Sequence, residues 1–249
     1  APEISSLFGR TLARQAAQVL ADGGDIFELG AGTGRLAADM LVELERRGQL
    51  PSHYRILEVS PDLRDRQRET LSRRVPHLVS RVQWAEHLPH GFEGLVVANE
   101  VLDALPVHLV AWRGADVYER GVNVEKGRFV FSDRPIEPGE LLDLARSISP
   151  GNDYVSEICL PARGLVRSLA QALARGAILL IDYGFGHREY YHPQRSRGTL
   201  MCHYRHRAHD DPLFLPGLQD ITAHVDFTAI AQAGVEAGLS FLGYTTQAH

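Results

Sequence analysis

The residues best suited to chemistry in this chain begin at position 25, where Asp-Ile-Phe-Glu-Leu-Gly-Ala-Gly-Thr-Gly runs to position 34. A short apolar strand (Ile26, Phe27, Leu29) leads straight into Gly30-x-Gly32-x-Gly34, and a helix opens behind it at Arg35-Leu-Ala-Ala-Asp-Met-Leu. Glycines at such a turn let a ligand approach the backbone where a Cβ would block it. Glu28 stands at the strand's end and is expected to face whatever sits above the loop. This is how a nucleoside cofactor is held at the carboxyl edge of a parallel sheet.

Two cofactors compete for the loop. Dinucleotide enzymes use G-x-G-x-x-G, with the pyrophosphate on the helix N-terminus. Here Arg35 stands where the third dinucleotide glycine would fall. The shorter pattern, preceded by Glu-Leu, is more typical of S-adenosylmethionine enzymes. That cofactor has no phosphates and carries a sulfonium cation and an amino-acid end, so nearby carboxylates help. The loop candidates for holding it are Glu28, Gly30, Ala31, Gly32 and Gly34. Glu58 ends the second strand, 24 positions after Gly34, where an acid accepts hydrogen bonds from both ribose hydroxyls; the plainer reading is a solvated strand-end acid. Asp62 is less well placed, already inside a helix. Glu86 follows the third strand, where an adenine contact would lie, or is a surface acid.

The next cluster is Ala98-Asn99-Glu100-Val-Leu-Asp103-Ala-Leu-Pro106, after the fourth strand. Glu100 and Asp103 would share a face on one helical turn, and Asn99 adds an amide at the strand terminus. Polar residues gathered at the carboxyl ends of buried parallel strands favour a ligand site; the alternative is that Glu100 supports a helix start. Asp182, at the end of the fifth strand, either faces the same crevice or has a structural hydrogen-bonding role. Tyr190, Tyr191 and Arg195 lie in a long segment, 183–224, that shows little periodicity and could close over a substrate, although surface aromatics fit equally well. His203, His206 and His209 have spacing that could suggest a metal, but neither Cys nor acid completes a ligand set, so no metal is expected. A Ser-His-Asp hydrolase is disfavoured because no G-x-S-x-G elbow is present.

The elements that must position these residues read as βαβαββ, with right-handed crossovers. Capped by Ser5 or Ser6, a helix precedes strand 25–29; helix 34–47, strand 54–59 and a helix from Ser60-Pro61 to Arg74 follow. Strands are predicted at 80–84 and 94–99. Short strand-like runs at 108–112, 116–119 and 128–131 form a small antiparallel insertion. Helical spacing returns at 137–149 and 161–175, followed by strand 177–182, a helix at 227–238 capped by Asp226, and a last strand at 240–245. The whole reads as one domain, with a core of about 1–106 and 160–249 and an inserted subdomain of about 107–159.

The 249 residues, 44% hydrophobic and 23% charged, suit an ordinary soluble globular protein. The net charge of −5 gives no support for nucleic-acid binding. Two cysteines, Cys159 and Cys202, match no metal motif and read as free thiols in a reducing compartment. No apolar run approaches the ~20 residues that span a bilayer. All but Lys126 of the 26 basic residues are arginine, a bias of GC-rich genomes that points to a bacterial source and a cytoplasmic setting.

Across nearly its whole length the chain resembles the MidA-like (DUF185) S-adenosylmethionine-dependent methyltransferases. The matching segments are Ala1-Pro-Glu-Ile-Ser-x-Leu-Phe-Gly9, Glu28-Leu-Gly-Ala-Gly-Thr-Gly34, Glu58-Val-Ser-Pro-x-Leu-Arg64, Ala98-Asn-Glu-x-x-Asp-Ala-Leu-Pro106, Ile181-Asp-Tyr-Gly184, Arg195-x-x-Gly-Thr-Leu200 and Asp220-Ile-Thr-Ala-His-Val-Asp-Phe227. The glycine motif is shared by many methyltransferases; the strings at 98–106 and 220–227 are much more specific. The family includes a mitochondrial complex I assembly protein that methylates an arginine of a partner subunit. The resemblance implies a class I, Rossmann-like, seven-strand methyltransferase fold with S-adenosylmethionine as cofactor. It also implies an arginine-bearing protein substrate, and a mitochondrial matrix location if the source is eukaryotic. Glu100 and Asp103, with Asp182 behind them, are then the catalytic candidates, holding a guanidinium toward the methyl group. Family members normally extend at both ends, so these residues are expected to be a core. Methylation of a small molecule or another protein atom, and a cofactor-binding assembly factor with little catalysis, are the alternatives.

Overall fold

The computed structural model describes residues 2–148, 150–205 and 207–247. The chain divides into two compact units: one runs to Val101 and takes up again at Ser168–Ile181, and the other comprises Leu102–Arg167 and the chain from Asp182 onward.

The first unit carries α1 (Ser6–Val19), β1 (Asp25–Leu29), α2 (Arg35–Arg46), β2 (Tyr54–Leu57), α3 (Pro61–Arg74), β3 (Val82–Ala85), β4 (Phe92–Asn99) and, after the excursion into the second unit, β9 (Leu173–Ile181). The five strands form one parallel sheet in the order β3-β2-β1-β4-β9. The order reverses between β1 and β4, which opens a crevice at their carboxyl ends. Local sequence fixes the helix starts. Ser5 accepts a hydrogen bond from Leu7 N, and Ser60 caps α3 with Pro61 at its first position. Ile26, Met40, Leu41, Leu44, Tyr54, Ile56 and Leu71 are fully buried between the sheet and its helices. The Rossmann-like α/β class expected from the sequence is the one found.

The second unit is built on the antiparallel sheet β7-β6-β5-β8, from β5 (His108–Arg113), β6 (Asp116–Glu125), β7 (Arg128–Pro135) and β8 (Tyr154–Ile158). The short strands expected at 108–112, 116–119 and 128–131 thus form and pair antiparallel, with one strand more. β8 was hidden because Ser156 and Glu157, both buried, interrupt its apolar run. Helix α4 (Glu140–Ser147) supplies Ala145, whose carbonyl accepts the indole hydrogen bond of Trp112 at 2.9 Å. Trp112 packs edge-on against Tyr154 and Tyr191. α5 (Leu160–Ala172) leads from this unit back to the first.

Three expectations are corrected. Segment 183–224 is largely structured: it holds β10 (Gly184–Phe185), α6 (His187–Tyr190), β11 (Met201–Tyr204), β12 (Arg207–His209) and β13 (Asp220–Thr222). These short elements escape periodicity because each is fixed by tertiary partners. Next, β14 (Val225–Asp226) pairs with β10 in a separate parallel ribbon, and no ladder forms at 240–245 among the described residues. A strand needs a neighbour for its backbone groups, so 240–245 is irregular, and among the described residues the parallel sheet has five strands where seven were expected. Finally, residues 100–106 form a turn, so Glu100 and Asp103 do not share a helical face. The last helix, α7 (Phe227–Glu236), is capped as expected by Asp226, which accepts from Thr228 N and Ala229 N.

Candidate cofactor-binding site

At the carboxyl end of β1, Gly30, Gly32 and Gly34 all take left-handed backbone angles, with φ of 62°, 53° and 80°. Gly34 is the N-cap of α2 and has no capping side chain. A Cβ on Gly34 would meet Gln67 Cα at 3.1 Å, whereas one on Gly32 would find nothing within 4 Å. The two glycines therefore serve different ends: Gly34 lets the loop pack on α3, and Gly32 faces open space, where its left-handed backbone alone favours glycine. Ala31, between them, is buried.

The acids around the loop differ sharply in setting. Glu28 lies within the buried sheet at 2% exposure, and its Oε2 accepts the Tyr54 hydroxyl at 2.8 Å. Burial lifts its carboxyl to about 7; the Tyr54 hydrogen bond opposes that rise and the charge of Glu58 adds to it. The expectation that Glu28 simply faces the space above the loop is thus corrected: its side chain turns onto the inner face, where Tyr54 reaches it. Glu58 is also buried, with Oε1 accepting Ser60 N and Oε2 accepting Gln67 Nε2, each at 3.0 Å. A carboxylate oxygen has about two lone-pair sites, so each retains capacity for a hydroxyl donor. Glu86 is exposed beyond β3. Asn99 ends β4 half-buried, and its Oδ1 is buried with no hydrogen-bond partner among the described residues. An orphaned amide oxygen at the switch point, two buried carboxylates and the open backbone at Gly32 fit a cationic nucleoside with hydroxyl donors.

Gln67 is the residue the sequence reading missed. Fully buried, it donates from Nε2 to Gly32 O and Glu58 Oε2, both at 3.0 Å, and accepts Trp84 Nε1 at Oε1 at 2.8 Å. One amide thus ties the glycine loop, the acid after β2 and the tryptophan of β3. Its signal is a glutamine on the helical stripe Leu63, Gln67, Leu71, where an apolar residue belongs.

Glu100 is exposed, and its backbone is left-handed with φ 52°, held by its N–H donating to Ile181 O at 2.9 Å. A non-glycine residue held there marks a position worth functional attention. In the second unit, Asp182 Oδ2 accepts Leu102 N at 2.9 Å and Asp103 N at 3.3 Å, while Oδ1 accepts Tyr183 N at 2.8 Å. Asp182 therefore fixes the turn that carries Asp103.

Tyr190 and Tyr191 do not lie on a mobile loop. Both are buried, at 2% and 9% exposure, and they donate to Glu157 Oε2 and Glu157 O, each at 3.2 Å. Arg195 stacks over Phe185, 4.0 Å from the ring centroid. Cys202 is buried, Cys159 is half-buried, and both are free thiols. Among the described residues no three ligating side chains gather for a metal; His206, Ser149 and Ala1, used in the sequence reading, lie outside the described residues.

A parallel sheet that reverses at β1 and β4, with a glycine loop above it and a buried acid after β2, defines a Rossmann-like protein made to hold a nucleoside cofactor. The chain belongs to a family of S-adenosyl-L-methionine-dependent methyltransferases, whose profile matches residues 7–245. It is 52% identical to a Burkholderia thailandensis protein crystallised with S-adenosyl-homocysteine, with a TM-score of 0.95 over 99% of this chain and 65% of that one. The protein arginine methyltransferase NDUFAF7, mitochondrial, of Danio rerio is 31% identical over 264 residues, covering 91% of this chain and 59% of its own length. The Mus musculus protein of the same name is 30% identical, covering 91% of this chain and 57% of its own. The chain thus spans somewhat over half the length of these curated relatives.

Proposed function

We propose that this chain binds S-adenosylmethionine at the Gly30–Gly34 loop and methylates an arginine of a partner protein. The observation that carries the cofactor assignment is the 52% identity to a protein crystallised with S-adenosyl-homocysteine; the acceptor assignment draws on relatives named as protein arginine methyltransferases. The cofactor would supply a methyl group on a sulfonium cation.

In this reading the backbone around Gly30, Ala31, Gly32 and Gly34 admits the cofactor, and Glu58 accepts the ribose hydroxyls. Asn99 offers its orphaned carbonyl oxygen, Glu86 lies toward the adenine, and Glu28 adds negative potential when ionised. Methyl transfer is an in-line displacement, so the protein's main task is alignment. A guanidinium is held by a carboxylate through directional, charge-assisted hydrogen bonds. Glu100, exposed and conformationally fixed, is our first candidate for that carboxylate, and Asp103, three residues along the chain, is the second. Asp182 is a positioning residue acting through the 102–103 turn. We place the acceptor among soluble proteins of a bacterial cytoplasm, or of the mitochondrial matrix for a eukaryotic source. No helix among the described residues is long and apolar enough to cross a membrane.

The test is Glu100→Gln, with calorimetry against S-adenosylmethionine and labelled-methyl transfer to proteins of a knockout lysate. Cofactor binding is expected to persist while transfer to arginine falls at least ~100-fold. Undiminished transfer excludes this role for Glu100. Labelled small molecules without labelled protein would instead identify a small-molecule enzyme, and tight binding without any product an assembly factor.

A further inference from the structure

The second unit contains a cavity of about 430 Å³ lined in part by Asp103. Its walls come from the turn after β4, the β6–β7 hairpin and the 212–223 segment, and among the described residues Asp103 is its only ionisable lining residue. The volume lies within the range of about 300–1,000 Å³ of small-ligand sites and exceeds a single side chain.

Beside it the hairpin presents an apolar face. Val122 pairs with Phe131 and Val124 with Phe129 across the antiparallel ladder, so all four project from the same side. They are 55%, 41%, 60% and 51% exposed, and three of them also line the cavity. Large apolar groups in register on an exposed ribbon mark a recognition surface. An apolar chamber with one carboxylate matches a long apolar stem ending in a cation, and in the protein-arginine reading that side chain is arginine, which buries its methylenes and needs an acid for its head.

We propose that this cavity and the Val122–Phe131 face of the hairpin select protein segments in which an arginine is flanked by large apolar residues. The inference rests on the protein-arginine reading and adds a sequence preference to it. The apolar neighbours of the arginine lie on Phe129 and Phe131, and Asp103 supplies the charge complement.

Two fluorescein-labelled peptides test this, Gly-Leu-Phe-Arg-Phe-Leu-Gly and Gly-Ser-Ser-Arg-Ser-Ser-Gly, titrated by anisotropy against the wild type and against Phe129→Ser. The apolar peptide is expected to bind the wild type about tenfold more tightly, and the variant to lose that margin while S-adenosylmethionine binding by calorimetry stays unchanged. Phe131→Ser serves in the same way if Phe129→Ser lowers the melting temperature. Equal binding of the two peptides overturns the proposal. So does a wild-type dimer in light scattering that Phe129→Ser converts to monomer, since a second copy would then cover the face. Selective binding of a peptide that stays unmethylated with S-adenosylmethionine supports the docking surface and counts against the arginine reading. Methylation of both peptides at the same rate supports that reading and removes the preference.

Discussion

Tyr54 donates its hydroxyl to Glu28 Oε2 at 2.8 Å from the neighbouring strand, two rungs along the ladder on the same sheet face. The pair sits in the dry interior, with Tyr54 at 0% and Glu28 at 2% exposure. Burial raises the Glu28 carboxyl from 4.5 to about 7, so the folded chain holds a proton there that the unfolded chain releases.

Below about pH 4.5 both states are protonated and Glu28 costs no stability; as pH climbs toward 7 the unfolded state gains by ionising, and above 7 the full cost stands, on the order of 3 kcal/mol. Glu28→Gln keeps an acceptor for Tyr54 and cannot ionise. Its melting temperature relative to wild type is expected to rise between about pH 5 and pH 8. A difference that stays flat across that range refutes the assignment.

Gln67 links three groups through one amide, and Gln67→Leu keeps the helix stripe while deleting all three hydrogen bonds. Gly32 O, Glu58 and Trp84 Nε1 then lose a buried partner. A loss of about 3 kcal/mol in urea unfolding is expected, with S-adenosylmethionine affinity reduced about tenfold because Glu58 is no longer oriented. Calorimetry that shows unchanged affinity would separate Gln67 from the cofactor site.

Gly32 and Gly34 allow a paired comparison. A left-handed alanine costs about 1–2 kcal/mol at either position, but only at Gly34 does its Cβ press on Gln67. Gly34→Ala should therefore lose more stability in denaturant, and Gly32→Ala, with open space around its Cβ, should lose less while binding the cofactor more weakly for its fold. Equal stability losses would show that Gln67 does not confine Gly34.

Glu157 anchors segment 187–204 of the second unit. Its carboxylate accepts Thr199 N, Thr199 Oγ1, Leu200 N and the Tyr190 hydroxyl, all within 3.2 Å. Glu157→Ala should cost about 3 kcal/mol and make limited proteolysis begin within that segment. Wild-type cleavage patterns in the variant would argue against the anchor.

What the sequence determined by itself was local. The caps at Ser5, Ser60 and Asp226, the strand leading into Gly30, and the short strand-like runs of β5 and β6 depend on near neighbours, so their residues announce them. The cofactor loop was legible for the same reason: positive φ at Gly32 and Gly34 is a property of the backbone there. Only tertiary structure decided the rest. Whether Glu28 meets solvent depends on Tyr54, 26 positions away along the chain, and whether Tyr190 is lid or core depends on Glu157, 33 positions away. Gln67 gains its role from Gly32, Glu58 and Trp84 together. A buried polar side chain is defined by the partners that satisfy it, and chain folding brings those partners in from distances that local pattern does not encode.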